Sequence, residues 1–312
     1  MVIKILAIVV SLVLVMLVAL YIAAPYLIKS RFNEAGVGEQ RKGVDAQAVM
    51  LDRHAYMGVD TLPENGIILF VTAHPDDLEF MAGGTLPRLL ERGNKVYLAI
   101  LADGGKERYM PTFYSRRIIK TRHDDQLKIS KAERLAGTFF INYKDGYLQE
   151  SYQKDKKQAV DKVQKIATEI GATDIFTFES GGREGYHDTD HATAGKIGTE
   201  VAKNNKAIGG LYYFRAQKPN VVINTTDTFN RKMETLFLFT EMRFKHRMMR
   251  AMHEAWDGST GRLINAAFAE GFYITPLHGK AIKVPTSEEK ISAGTTVEAT
   301  STTKTRDKVG AN

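Results

Sequence analysis

Through the middle of the chain, short continuous apolar runs alternate with longer segments whose apolar residues recur every three or four positions. Gly66–Ala73, Lys95–Ala102, Thr138–Asn142, Asp174–Phe178, Gly210–Phe214 and Val221–Asn224 are runs of the first kind and predict strands. Residues 80–92, 115–136, 156–170, 189–204 and 228–254 follow the helical period and predict helices. Strands that alternate with helices imply an α/β fold with a mostly parallel sheet covered on both faces. Such sheets bind ligands beyond the carboxyl ends of their strands, so chemistry is sought in the residues that follow each strand.

The two ends of the chain break this pattern. Ile5–Ile28 carries no charge and is almost entirely aliphatic. At about 1.5 Å per residue it reaches roughly 36 Å, more than the roughly 30 Å hydrocarbon core of a bilayer. This predicts a membrane anchor over residues 1–28. A cleaved signal peptide usually has a shorter apolar region ending at a small-residue site, whereas Ala23-Ala24 is followed by Pro25 and further apolar residues. Lys29, Arg31, Arg41 and Lys42 outnumber Lys4 and the amino terminus, so the charge count favours a cytoplasmic globular part; a short amino-terminal tail kept inside gives the reverse. Residues 29–65 read as a juxtamembrane connector, 66–283 as the α/β domain, and 284–312, rich in Ser, Thr, Lys and Glu, as a disordered tail.

Composition narrows the chemistry. The 312 residues contain 43 Lys+Arg and 36 Asp+Glu, a formal charge of +7, which suits an anionic partner or surface without calling for nucleic acid. There are 0 cysteines, so disulfides, thiolate metal sites and cysteine nucleophiles are excluded. Any metal must be held by His, Asp or Glu. Arg243, Lys245, Arg247 and Arg250, interleaved with Phe244, Met248 and Met249, form a basic stretch with an apolar side; packing on the domain is the expected role, resting on lipid the alternative.

The first strand runs directly into His74-Pro75-Asp76-Asp77-Leu78-Glu79. An imidazole and two carboxylates on one turn suit a borderline cation such as Zn²⁺, with one carboxylate ligating and the other facing water. The fourth strand is followed by a Gly-rich segment and then Tyr186-His187-Asp188-Thr189-Asp190-His191. His187 and His191 are spaced to share a helical face. A site of His74, Asp77 and His191 leaves coordination open for water, as a catalytic zinc requires. A plain helix start at either cluster is the competing reading.

Ala73-His74-Pro75-Asp76-Asp77, Leu101-Ala102-Asp103-Gly104-Gly105, Tyr143-Lys144-Asp145-Gly146-Tyr147-Leu148 and Asp190-His191 resemble the N-acetylglucosaminyl de-N-acetylases of the LmbE and PIG-L type over residues 66–250. The resemblance implies a Rossmann-like α/β sandwich, zinc on His74, Asp77 and His191, and Asp76 as general base. It implies a substrate that is an N-acetylated amino-sugar conjugate, on a glycolipid or cell-surface glycan, with acetate released. Arg122 is a candidate substrate contact or structural ion-pair partner, and Asp103 a further candidate substrate contact. One departure stands out: the family often has His three residues before its last ligand, where this chain has Asp188. The oxyanion contact expected there would fall to His187, displaced by one, or to Tyr186. A zinc hydrolase for another amide or an ester, and a tethered sugar-binding protein with a decayed site, are the competing functions.

Overall fold

The structure is a computed structural model that describes residues 2–41, 62–106, 115–179, 189–214, 216, 219–242 and 245–279. The connector from 42 to 61, the tail beyond 279, and Tyr186, His187 and Asp188 lie outside the described residues.

Helix α1 (Val2–Arg41) contains the apolar segment Val9–Leu27, which is long and apolar enough to cross a membrane. It continues past the expected boundary at 28, because the residues that follow include good helix formers such as Glu34, Ala35 and Glu39. The body begins with β1 (Ile67–Thr72), followed by α2 (Asp77–Ala82), α3 (Leu86–Glu91) and β2 (Lys95–Ala102). Next come α4 (Ser115–Ala132), β3 (Gly137–Tyr143), α5 (Leu148–Lys154), α6 (Lys156–Ile170), β4 (Asp174–Phe178) and α7 (Thr189–Asn204). The chain then forms β5 (Gly210–Phe214), β6 (Val221–Asn224), α8 (Phe229–Leu236), α9 (His246–Gly261) and β7 (Ala269–Pro276).

The strands pair in the order β3-β2-β1-β4-β5-β7-β6. β3 to β5 are mutually parallel, while β7 runs antiparallel to both β5 and β6. β1 is buried after its first residue, as a strand covered on both faces must be. Phe70 stacks on Phe176 of β4 at 4.8 Å, and Phe176 stacks on Tyr212 of β5 at 4.3 Å, so aromatic faces run across the centre of the sheet.

Three expectations change in detail. The helix expected over 80–92 is two short helices parted at Gly83-Gly84, where a Cβ on Gly84 would stand 2.8 Å from Thr225 Cβ. The long helix over 228–254 is α8 and α9, separated by a turn and a short 3₁₀ segment at Thr240–Met242. Strand β7 lies outside the predicted strands, because Glu270 and Gly271 interrupt its apolar alternation. Its acidic residue is explained by Lys232, fully buried on α8, whose Nζ donates to Glu270 Oε1 at 2.7 Å and Asp257 Oδ2 at 2.8 Å. Glu270 also accepts from the backbone N–H of Gly84 (3.0 Å) and Thr85 (2.8 Å) and from Thr85 Oγ1 (2.6 Å). Removing one member of a buried ion pair strands the other charge. Lys232→Met is therefore expected to lower stability by about 3–5 kcal/mol, read by chemical denaturation of the detergent-solubilised chain.

Candidate functional site

β1 and β4 are neighbours whose following segments leave for opposite faces, which opens a crevice at their carboxyl ends. His74, Asp76 and Asp77 follow β1, and His191 lies in the first turn of α7 beyond β4. Positions more than a hundred residues apart thus converge because their strands are paired.

His74 Nδ1 lies 3.2 Å from His191 Nε2, and His191 Nε2 lies 3.0 Å from Asp77 Oδ1. All three side chains are buried, and one ligand atom from each falls within 4.8 Å of the others. Nitrogen and oxygen ligands at about 2.0–2.1 Å from a tetrahedral centre are themselves separated by roughly 3.3–3.4 Å. Two imidazole nitrogens facing each other at this spacing need a proton or a cation between them, and the donor set is one that a borderline divalent ion accepts. The residues present therefore fit a metal.

The Asp77 carboxylate is oriented by its own turn: Oδ2 accepts from the backbone N–H of Ala73 (2.9 Å) and His74 (2.8 Å), which leaves Oδ1 for His191. Burial alone would raise its pKa, yet His191, His74 and these N–H groups together hold it below the ordinary carboxylate value. His74 is oriented from its other nitrogen. Nε2 lies 3.1 Å from Asp145 Oδ1 and 3.6 Å from Asp190 Oδ2. Burial opposes the imidazolium, but these carboxylates and Asp77 outweigh it and raise the His74 pKa well above 6.5. Conversely, and against its own burial, Asp145 is pushed down to about 2 by His74. A proton kept on Nε2 by Asp145 presents the Nδ1 lone pair to the site.

Asp76 adopts φ 90° and ψ −21°, a left-handed backbone that is costly for any residue with a Cβ. Its N–H donates to Gln126 Oε1 at 2.9 Å, and Gln126 Nε2 donates to Glu79 Oε1 at 2.8 Å. Arg122 Nη2 donates to Asp76 Oδ2 at 3.0 Å and to Pro75 O at 2.7 Å, while Nη1 donates to Gly104 O at 3.1 Å. Nε of Arg122 lies 2.8 Å from Glu241 Oε1. Gly104 sits at φ +70° with its α-carbon against this guanidinium, a place where a Cβ would stand 3.1 Å from Nη1. Burial pushes the Asp76 carboxyl well above its ordinary range; Arg122 pulls the other way, while Asp77 and Glu241 add to the rise.

The expected residues thus fall into groups. His74, Asp77 and His191 are brought together, with Asp76 beside them. The buried guanidinium of Arg122 is engaged with protein groups, the arrangement of an ion pair that holds Asp76. Asp103 Oδ1 accepts from the N–H of Gly105 (2.9 Å) and Asp145 (3.2 Å), so it shapes the loop that carries Asp145. Sequence reasoning gave no role to Asp145, Asp190, Gln126, Glu79 or Glu241. Asp145 follows β3 just as Asp76 follows β1, a positional signal that could have found it. Gln126 and Glu241 lie on helical segments with no mark to single them out.

Residues 69–202 match the model of the PIG-L family, described as GlcNAc-PI de-N-acetylase. No curated protein matches by sequence. Solved structures share the fold. N,N'-diacetylchitobiose deacetylase from Pyrococcus horikoshii is 18% identical with a TM-score of 0.59, over 68% of this chain and 84% of that one. The zinc-inhibited form of teicoplanin deacetylase is 10% identical with a TM-score of 0.53, over 69% of this chain and 100% of that one. A 4-carboxy-2-hydroxymuconate hydratase from Pseudomonas putida is 14% identical with a TM-score of 0.54, over 70% of this chain and 98% of that one. A hydratase on the same scaffold means that the architecture alone does not select the reaction.

Proposed function

We propose that this chain, whose residues 69–202 match the PIG-L family model, hydrolyses the N-acetyl group of an amino-sugar conjugate with zinc held by His74, Asp77 and His191. The observation that carries this reading is the convergence of those three groups with the Asp76 carboxyl on the same turn. Held by these residues, a zinc ion would supply Lewis-acid chemistry and acidify water.

The chain's own groups do the rest. Asp76, ionised, takes a proton from the water that attacks the acetyl carbon; the carbon–nitrogen bond breaks, and the protonated carboxyl returns that proton to the departing amine. Acetate and a free amino sugar result. A buried carboxyl raised above its ordinary range is suited to both halves of this exchange. Arg122 opposes the rise that burial imposes on Asp76, and Gln126 fixes the strained backbone that aims it. Asp145 and Asp190 orient His74. Tyr186 or His187 carries the oxyanion contact in place of Asp188. The substrate is a glycolipid on the cytoplasmic side that the charge count favours, or a surface glycan conjugate if the body that α1 tethers lies on the other side.

Metal analysis of the purified chain, followed by acetate release from N-acetylglucosamine conjugates, tests this directly. Stoichiometric zinc with no acetate from any amino sugar, but hydrolysis of other amides or esters, would move the substrate elsewhere. A chain that binds amino sugars and releases nothing would be a decayed site. The role of Asp145 has its own measure: Asp145→Asn should weaken metal affinity or turnover by about 10- to 100-fold, read by competitive chelator titration alongside initial rates.

A further inference from the structure

Helix α9 packs along α1, and two contacts give the direction. The Arg247 guanidinium lies 4.9 Å from the centroid of the Tyr21 ring, and Lys29 forms an ion pair with Glu254. The contacts advance from Tyr21 to Lys29 on one helix and from Arg247 to Glu254 on the other, so the helices run the same way. Ala23, Ala24 and Pro25 are half-buried, whereas residues 9 to 22 are exposed. Protein contact with α1 therefore starts within the apolar segment and not at its end.

That placement fixes a height. Tyr21 precedes Leu27 by about 9 Å along the axis. If the hydrocarbon core extended to Leu27, Arg247 would lie about 9 Å inside it, where a charged side chain is disfavoured. The charge-free span from Ile5 to Tyr21 reaches about 26 Å, close to the thickness of the core, with Lys4 just beyond its far end. The start of α9 then sits at the level of the headgroups. Its exposed side carries Arg247, Arg250 and Met248, the last 44% exposed. His246 stacks on Phe237 at 4.0 Å, which brings the turn bearing Leu238, itself 54% exposed, beside it. Cationic groups mixed with protruding apolar ones suit the boundary between anionic headgroups and acyl chains. Glu254, the nearby acid, is matched by Lys29 and Arg250.

We propose that the surface formed by Leu238, His246, Arg247, Met248 and Arg250 docks on the anionic face of the bilayer that α1 crosses, with the membrane boundary at Tyr21. This rests on the reading of α1 as a membrane anchor. It also sets the catalytic turn close to the membrane, since Glu241, which contacts Arg122 beside Asp76, lies between Leu238 and His246 in the chain.

The chain's lack of cysteine allows single nitroxide labels. Full-length chain carrying Met248→Cys, Leu238→Cys, Leu14→Cys or Leu127→Cys is reconstituted in phosphatidylcholine vesicles with and without phosphatidylglycerol, and each label is read for oxygen against water-soluble nickel chelate accessibility. With phosphatidylglycerol present, the labels at 248 and 238 should favour oxygen several-fold over the label at 127, and Arg247→Glu with Arg250→Glu should return the 248 label to water. A label at 248 that stays aqueous in every vesicle while the label at 14 lies in hydrocarbon overturns the docking but leaves the anchor. If the label at 14 is aqueous too, the anchor itself fails. Immobilisation of the 248 label in detergent as much as in vesicles would assign the surface to a second copy of the chain, and would overturn the proposal as well.

Discussion

Asp76→Asn is expected to leave metal content unchanged and to reduce kcat by about 100- to 10,000-fold, the range that a positioned general base contributes. The amide keeps the shape of the side chain and can still meet Arg122, but it cannot accept the proton from water or return it to the amine. Because Asp76 must be ionised to act as the base, activity should fall as the pH drops through its pKa. That acid limb should lie well above the ordinary carboxylate value of 3.8, since burial raises this group. Arg122 lowers it, so Arg122→Met should move the limb to higher pH, whereas a merely structural arginine would lower the rate without displacing the profile. An Asp76→Asn chain with wild-type turnover would show that the base lies elsewhere.

The second large effect is of another kind. His191→Ala removes one of two imidazoles from a donor set whose members already touch, and leaves Asp77 Oδ1 without the ring 3.0 Å away. Metal should be lost on dialysis, and turnover should fall by at least about a thousandfold, corresponding to the several kcal/mol that Lewis-acid stabilisation supplies. Added zinc in excess should restore part of the rate if the remaining pair still binds. The two variants therefore separate cleanly: one holds metal and is inactive, the other is inactive because it holds none. Retention of stoichiometric metal by His191→Ala would remove that residue from the ligand set.

The sequence carried the sheet and the chemistry unequally. β1, β2, β4 and β5 announce themselves because strands covered on both faces are continuous apolar runs, and His74, Asp76 and Asp77 are legible because they sit where such a strand ends. His191 needed a second strand and the assumption that the two are neighbours. What stayed hidden was whatever depends on partners distant in the chain. Glu270 reads as a break in a strand until Lys232 is seen against it. Gln126 is an ordinary helical glutamine until its amide is found between Asp76 and Glu79. Arg122 could be seen as important without its direction being known, since a guanidinium on a helix can face a ligand or a neighbouring carboxylate equally well. The resemblance in the His74–Asp77 motif supplied the reaction, which residue spacing by itself leaves open between amide and ester.

The place of β7 governs how the body can be assembled. Among the described residues it is the last strand in the chain, yet it is inserted between β5 and β6, which do not pair with each other. Until residues 269–276 leave the ribosome, both strands present an unpaired edge, and Lys232 lacks one of its two carboxylates. Open strand edges are templates for wrong pairing. Nascent chains are therefore most exposed to misassociation in the interval between β5 and β7, and a stop codon there should yield insoluble material instead of a smaller stable domain.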